Sequence, residues 1–216
     1  MFRTIAISFY SLKNMRILAV IPFIALNLVL TAINITGYMR YGNGYQLEED
    51  IRKYAIIFMP LFSNWWPIFA MREYIESDGN ELLFIQSNKI KYIDFLTLFL
   101  IYLVDISIFL AVYILVYPQL KLVSIWILII CSFIFSITYF LVFFTKSITV
   151  TLMCTLLYHI INIGRAWREP VPLIYGSAQG YAFIPEFVHV YFPMLIIGAL
   201  ATAGGIILNY RFIKYN

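Results

Sequence analysis

Two long, predominantly apolar runs, Phe95–Val116 and Leu122–Phe144, constrain this chain more than any other feature. Each is longer than the roughly 20 residues that carry a helix across the hydrocarbon core of a bilayer. Strands of a membrane barrel would alternate apolar and polar residues, and neither run does. The rest of the chain agrees. Of its 216 residues, 62% are hydrophobic and 12% charged, against about 25% charged in a typical soluble domain; the mean hydropathy is +0.86. That leaves too little polar surface to cover a water-soluble globule, whereas lipid solvates apolar surface and demands only that backbone polar groups pair internally. The expected fold is an all-α integral membrane protein.

Six apolar segments are readable, near residues 17–36, 54–71, 92–117, 122–144, 148–164 and 191–209. Six spans need about 120 residues, so the chain is expected to be a single transmembrane domain with loops and no separate soluble unit. Arg3, Lys13 and Arg16 precede the first segment. Its apolar run is longer than a signal-peptide core and no small-x-small cleavage site follows, so it reads as an anchor. Upstream, Phe2, Ile5, Phe9 and Leu12 share one helical face, with Arg3, Ser8, Ser11 and Lys13 off it. That pattern predicts an amphipathic helix in the membrane interface.

Orientation follows from Lys and Arg. With the N-terminus in the cytoplasm, Arg3, Lys13, Arg16, Arg72, Lys89, Lys91, Lys146, Arg211 and Lys214 lie inside, and Arg40, Arg52, Lys53, Lys121, Arg165 and Arg168 outside. Six spans return the C-terminus to the cytoplasm. The net charge of +4 is too small and too dispersed for a nucleic-acid surface. Cys131 and Cys154 both lie in apolar runs and read as small buried hydrophobes, with no disulfide or zinc spacing. The abundance of Ile, Tyr, Phe, Asn and Lys is that of an AT-rich bacterial genome, which makes a bacterial plasma membrane the expected location.

The connection after the second span is the most distinctive polar stretch. It runs Arg72-Glu73-Tyr74-Ile75-Glu76-Ser77-Asp78-Gly79-Asn80-Glu81-Leu82-Leu83, four acids and one base followed by an apolar run too short to span. The pattern Glu76-x-x-Gly79-x-Glu81-Leu82-Leu83, after the second of six spans, resembles the membrane subunit of an ABC-2 type transporter. The layout resembles that family over the whole chain: an amphipathic N-terminal helix, six spans with both ends inside, and a longer outer segment, 165–190, between spans five and six. The motif resembles it only over about 72–90. Two departures stand out. The Gly79–Glu81 spacing is one residue shorter than the commoner form, and the usual Pro is replaced near Ser87-Asn88.

The resemblance implies that 72–90 is a coupling segment, with Arg72, Glu73, Glu76, Gly79 and Glu81 contacting a cytoplasmic ATPase subunit. It implies a second membrane subunit, identical or related, in contact with membrane lipid. ATP and Mg would bind on the partner ATPase, because no G-x-x-x-x-G-K-[ST] loop occurs here. The chain itself would not be an enzyme. Spans two and five would line the route, which draws attention to Phe62 and Trp65 in span two and to Thr151, Thr155, Tyr158 and Asn162, spaced four, three and four on one face of span five. The same Thr, Tyr and Asn residues would serve equally as hydrogen bonds between helices. Trp65 and Trp66 also fit an interfacial aromatic belt, and Pro67 predicts a kink. In span six, Gly198-x-x-x-Thr202 and Ala201-x-x-x-Gly205 predict close helix packing. The outer segment, with its Pro, Gly and aromatic residues, would rest at the outer leaflet.

Two other classes compete. Asp105, midway along span three, is an intramembrane ionisable residue and so a functional candidate, which would suit a channel or an ion-coupled carrier; the bland reading leaves it neutral or pairs it with a polar group on a neighbouring helix. Glu48-Glu49-x-x-Arg52 and His159-x-x-Asn162 faintly resemble intramembrane CAAX-type proteases, with each spacing one residue short and the Glu pair in an outer loop.

Overall fold

The computed structural model describes residues 17–42, 45–76, 92–116, 118, 121–168 and 187–212. The N-terminal amphipathic stretch, most of the 72–90 segment and most of the 165–190 segment lie outside the described residues. Within them the chain is almost wholly helical, without strands. The helices are α1 (Ile17–Tyr41), α2 (Tyr45–Ser63), α3 (Trp65–Glu76), α4 (Tyr92–Val116), α5 (Lys121–Thr145), α6 (Ile148–Arg168) and α7 (Phe192–Phe212). A π-helical turn, Phe187–Tyr191, leads into α7. Five stretches are long and apolar enough to cross a membrane: Val20–Arg40, Tyr54–Arg72, Phe95–Leu115, Val123–Thr145 and Val188–Tyr210. The segment expected as the fifth span is also a helix, α6, but its apolar part, Ile148–Ile161, is shorter than these.

Backbone chemistry sets several boundaries. Gly42 takes a left-handed φ of 66° and its N–H bonds the Tyr38 carbonyl at 2.9 Å, closing α1. Lys146, at φ 53°, ends α5 in the same way, with its N–H on the Val142 carbonyl at 3.2 Å. Ser147 then caps α6, its Oγ accepting from the Val150 N–H at 3.4 Å. The second span breaks at Asn64, between α2 and α3. Pro67 was expected to kink this helix, and the break falls three residues before it for a clear reason. A proline at 67 cannot donate to the Ser63 carbonyl, and its ring crowds that carbonyl. Pro60 removes a second bond two turns earlier. The loosened turn is re-tied by side chains: Ser63 Oγ donates to the Pro60 carbonyl at 2.5 Å and Tyr102 Oη to the Met59 carbonyl at 2.9 Å.

Burial separates centre from periphery. The Tyr54–Arg72 and Val123–Thr145 stretches are 67% and 56% buried, while Val20–Arg40, Phe95–Leu115 and Val188–Tyr210 are 18%, 28% and 22% buried. The broken second span and α5 therefore form the core, and α1, α4 and α7 pack around them. Helix α4 shows how. Phe95, Leu98, Tyr102, Ile106, Leu110 and Tyr113 face inward at helical spacing, and Leu96, Leu100, Val104, Ile108 and Val112 face outward. Phe95 and Phe99 meet Phe135 of α5 edge-on and Phe95 is tilted against Tyr139, one turn further on, so α4 and α5 run antiparallel.

Helix α7 packs chiefly on α5, along the small-residue face expected from sequence. Gly198 lies over Phe133, and Gly205 over Tyr139 and Phe140. Asn209 Nδ2 donates to Tyr139 Oη at 3.1 Å, and Trp126 stacks on Tyr191 with ring centroids 3.9 Å apart. Numbers rise together along both helices, so α5 and α7 are parallel.

Candidate functional site: a buried polar cluster at the helix break

The break at Asn64 exposes a polar residue at the centre of the fold, and two other helices answer it. Thr138 of α5 donates its hydroxyl to Asn64 Oδ1 at 2.5 Å. Asn64 Nδ2 lies 2.6 Å from His159 Nε2 of α6. With Oδ1 occupied as an acceptor, the amide donates, and the imidazole Nε2 accepts as an unprotonated nitrogen. All three side chains are buried. Buried in this way, an unpaired amide or imidazole would be costly, so the three polar residues favour one mutual arrangement of the α2–α3 break, α5 and α6.

A cavity of about 250 Å³ lies beside this cluster. Its polar edge is Asn64, Thr138, Thr155, Tyr158 and His159, and its apolar wall includes Phe133, Ile134 and Leu141. Two of the residues expected to line a pathway, Thr155 and Tyr158, are thus brought to a cavity. Thr155 is buried and its hydroxyl is also spent on the Thr151 carbonyl at 3.0 Å. Thr151 is buried too, but it belongs to the α5–α6 turn, bonded to the Ser147 carbonyl at 2.9 Å and lying 3.0 Å from Thr145 Oγ1. The Asn162 side chain lies outside the described residues. Phe62 and Trp65 are half-buried, packed against the core rather than lining this cavity. Trp66 is buried, edge-on to Tyr102 with centroids 5.9 Å apart, which is a core position and not a belt.

At the far end of α3, Glu76 is committed within the chain. Its Oε1 accepts from the Ile148 N–H at 3.2 Å, and its Oε2 lies 3.5 Å from Arg72 Nε. A carboxylate is well placed there, since the first turn of α6 presents unpaired N–H groups and the positive end of the helix dipole. The start of the expected coupling segment is therefore tied to the α5–α6 turn. The side chains of Glu73, Gly79 and Glu81 lie outside the described residues.

Asp105 is half-buried on α4, one turn before Ile108 and Phe109, and has no hydrogen-bond or ion-pair partner among the described residues. Among those residues no three His, Cys, Asp or Glu side chains converge as metal ligands. Cys131 is buried as expected, whereas Cys154 is exposed. Asn64 and Thr138 did not stand out from the sequence, although each is a polar residue inside an apolar run. His159 stood out in the protease likeness, and the structure sets it against the Asn64 amide.

Among the described residues, fold and cluster define an all-helical protein with five helical stretches long and apolar enough to cross a membrane, compatible with a multi-pass membrane protein. Comparison with protein-family models, with curated proteins and with solved structures finds no match for this chain.

Proposed function

We propose that this chain is the membrane subunit of an ATP-driven exporter of the ABC-2 type, in a bacterial plasma membrane, with six crossings and both ends in the cytoplasm. The observation that carries the reading is the placement of Glu76. It begins the acidic motif Glu76-x-x-Gly79-x-Glu81 and is bonded to the first N–H of α6. A push on that segment by a partner ATPase would reach α3 directly and α6 through this bond. Both helices meet at the Asn64–Thr138–His159 cluster and its cavity.

The parallel course of α5 and α7 supports the sixth crossing. Parallel neighbours place the end of one and the start of the other on opposite sides, so the chain between them has to return across the membrane, and α6 is the helix available. ATP and Mg would act on the partner. The membrane subunits would work in pairs, and ATP would drive the cycle by binding one of two states more tightly. The aromatic and apolar surroundings suit a hydrophobic or amphipathic cargo, such as a peptide antibiotic or another natural product.

The test is co-purification with the products of the neighbouring genes, expected to include an ABC ATPase, followed by cargo-stimulated hydrolysis in liposomes. Glu81→Ala should lower stimulation while leaving insertion intact, because it removes a charge-assisted contact. Gly79→Val should lower it further, since a β-branched side chain obstructs a turn or close approach that glycine permits. Glu48→Ala is the control. Wild-type coupling in both variants, or an active assembly with no ATPase, would reject the reading.

A second reading, a channel or ion-coupled carrier, is favoured by one observation, the half-buried Asp105 with no partner among the described residues. Ion flux through the purified chain alone, abolished in Asp105→Asn, would select it.

A further inference from the structure

We propose that the groove between α1 and α4 is a binding site, open to the lipid phase, for a neutral amphiphile that carries hydroxyl groups. The groove encloses about 520 Å³, within the range of sites for small organic molecules. Its floor is a polar face of α1. Asn27, Thr31, Asn34 and Tyr38, spaced four, three and four, all line it.

Asn34 Nδ2 donates to Tyr113 Oη of α4 at 2.9 Å, which holds the two helices together at one end; Phe23 meets Phe109 edge-on at 6.1 Å. Between these contacts the helices are apart, and the polar atoms are only partly used. Asn27 spends its Nδ2 on the Phe23 carbonyl at 2.8 Å. Its Oδ1 and the hydroxyls of Thr31 and Tyr38 have no partner among the described residues. Asn34 Oδ1, buried under the groove, has none either.

The chemistry of these atoms selects the occupant. An acyl chain offers them nothing, and in a bilayer core polar atoms without partners are costly. None of the lining side chains is charged, so nothing here balances an ionic headgroup. Acceptor and hydroxyl groups in a row match a ligand whose own hydroxyls both donate and accept, with its apolar body against Ile35, Ile108 and Val112. The site is separate from the cluster at Asn64 and does not depend on the transport reading, because its test uses no ATPase.

The probe is a medium-chain monoacylglycerol carrying a diazirine in its acyl chain, photolysed with the full-length protein in lipid nanodiscs. Cross-linked peptides should map to 23–39 and 108–113. Unlabelled monoacylglycerol should reduce labelling at least tenfold, and the methyl ester of the same fatty acid, which lacks hydroxyls, should not. Thr31→Val should weaken labelling several-fold. Val112→Trp, which fills the groove at an exposed position without removing a hydrogen bond, should abolish it, so a folding defect in one variant leaves the other to decide. Equal competition by the methyl ester would mean ordinary lipid contact and overturn the proposal. So would labelling spread evenly over the outward faces of α4 and α7, or cross-links joining two copies of the chain through this groove.

Discussion

The packing of α7 on α5 can be tested at two glycines that differ by about an ångström of space. A Cβ at Gly205 would lie 2.7 Å from Tyr139 Cδ1, 2.9 Å from Cε1 and 3.2 Å from the Phe140 Cα. A Cβ at Gly198 would meet nothing closer than the Phe133 Cα at 3.6 Å. The first is overlap and the second ordinary contact. Tyr139 cannot swing aside freely. It is fully buried, its ring packs on Phe95 and Phe143 with centroids 4.6 and 5.1 Å away, and its hydroxyl accepts from Asn209. Relieving the overlap would disturb those contacts or force the helices apart, at an overpacking cost of about 1–3 kcal/mol. Replacing glycine by alanine also favours the helix by up to about 1 kcal/mol, equally at both sites, so the difference between variants isolates packing. Gly205→Ala is therefore expected to be about 1–3 kcal/mol less stable than Gly198→Ala. Unfolding in mixed detergent and dodecyl sulfate micelles measures it, and Tyr139→Leu in the Gly205→Ala background should recover part of the loss. Two alanine variants agreeing within about 0.5 kcal/mol, the range of unremarkable substitutions, would refute the close approach.

Three further outcomes are expected. Asn64→Leu strands the hydroxyl of Thr138 and the ring nitrogen of His159 and should cost about 1–3 kcal/mol; a double-mutant cycle with His159→Leu should return a coupling of roughly 0.6–2 kcal/mol, and zero coupling would dissolve the cluster. Glu76→Ala removes the acceptor at the start of α6 and should destabilise by about 0.3–1 kcal/mol or slightly more, whereas Arg72→Ala, losing only an exposed pair, should stay under about 1 kcal/mol; the reverse order in detergent melts would contradict the capping role. Gly42→Ala should cost about 1–2 kcal/mol purely through its left-handed backbone, since a Cβ there meets nothing within 4 Å; Gly42→Asn should be milder, and equal stability of all three would speak against the αL cap.

The five stretches among the described residues that are long and apolar enough to cross a membrane were legible, because length and apolarity are properties of the sequence itself. Low charge and high hydropathy pointed to a membrane protein, and the runs at 95–116 and 122–144 placed two helices outright. The small residues of α7 announced close packing because only small side chains allow it. Yet an apolar helix in lipid carries no stripe that tells inside from outside. In α4 the inward Leu98 and Leu110 and the outward Leu96 and Leu100 are chemically alike, and only their neighbours decide which is which. The polar residues show the same division. Thr151, Thr155 and Tyr158 share one face by spacing alone, but the fold sends Thr151 to a turn and the other two to a cavity. Asn64, Thr138 and His159 lie 74 and 95 residues from one another along the chain as bonded pairs, and no local pattern links them. Glu76 reads as a surface carboxylate until the start of α6 is found beside it. Sequence marked which segments are apolar enough to leave water, because that depends on each segment's own composition. Tertiary structure settled which polar atoms meet, because hydrogen bonds are short and directional and their partners come from distant parts of the chain.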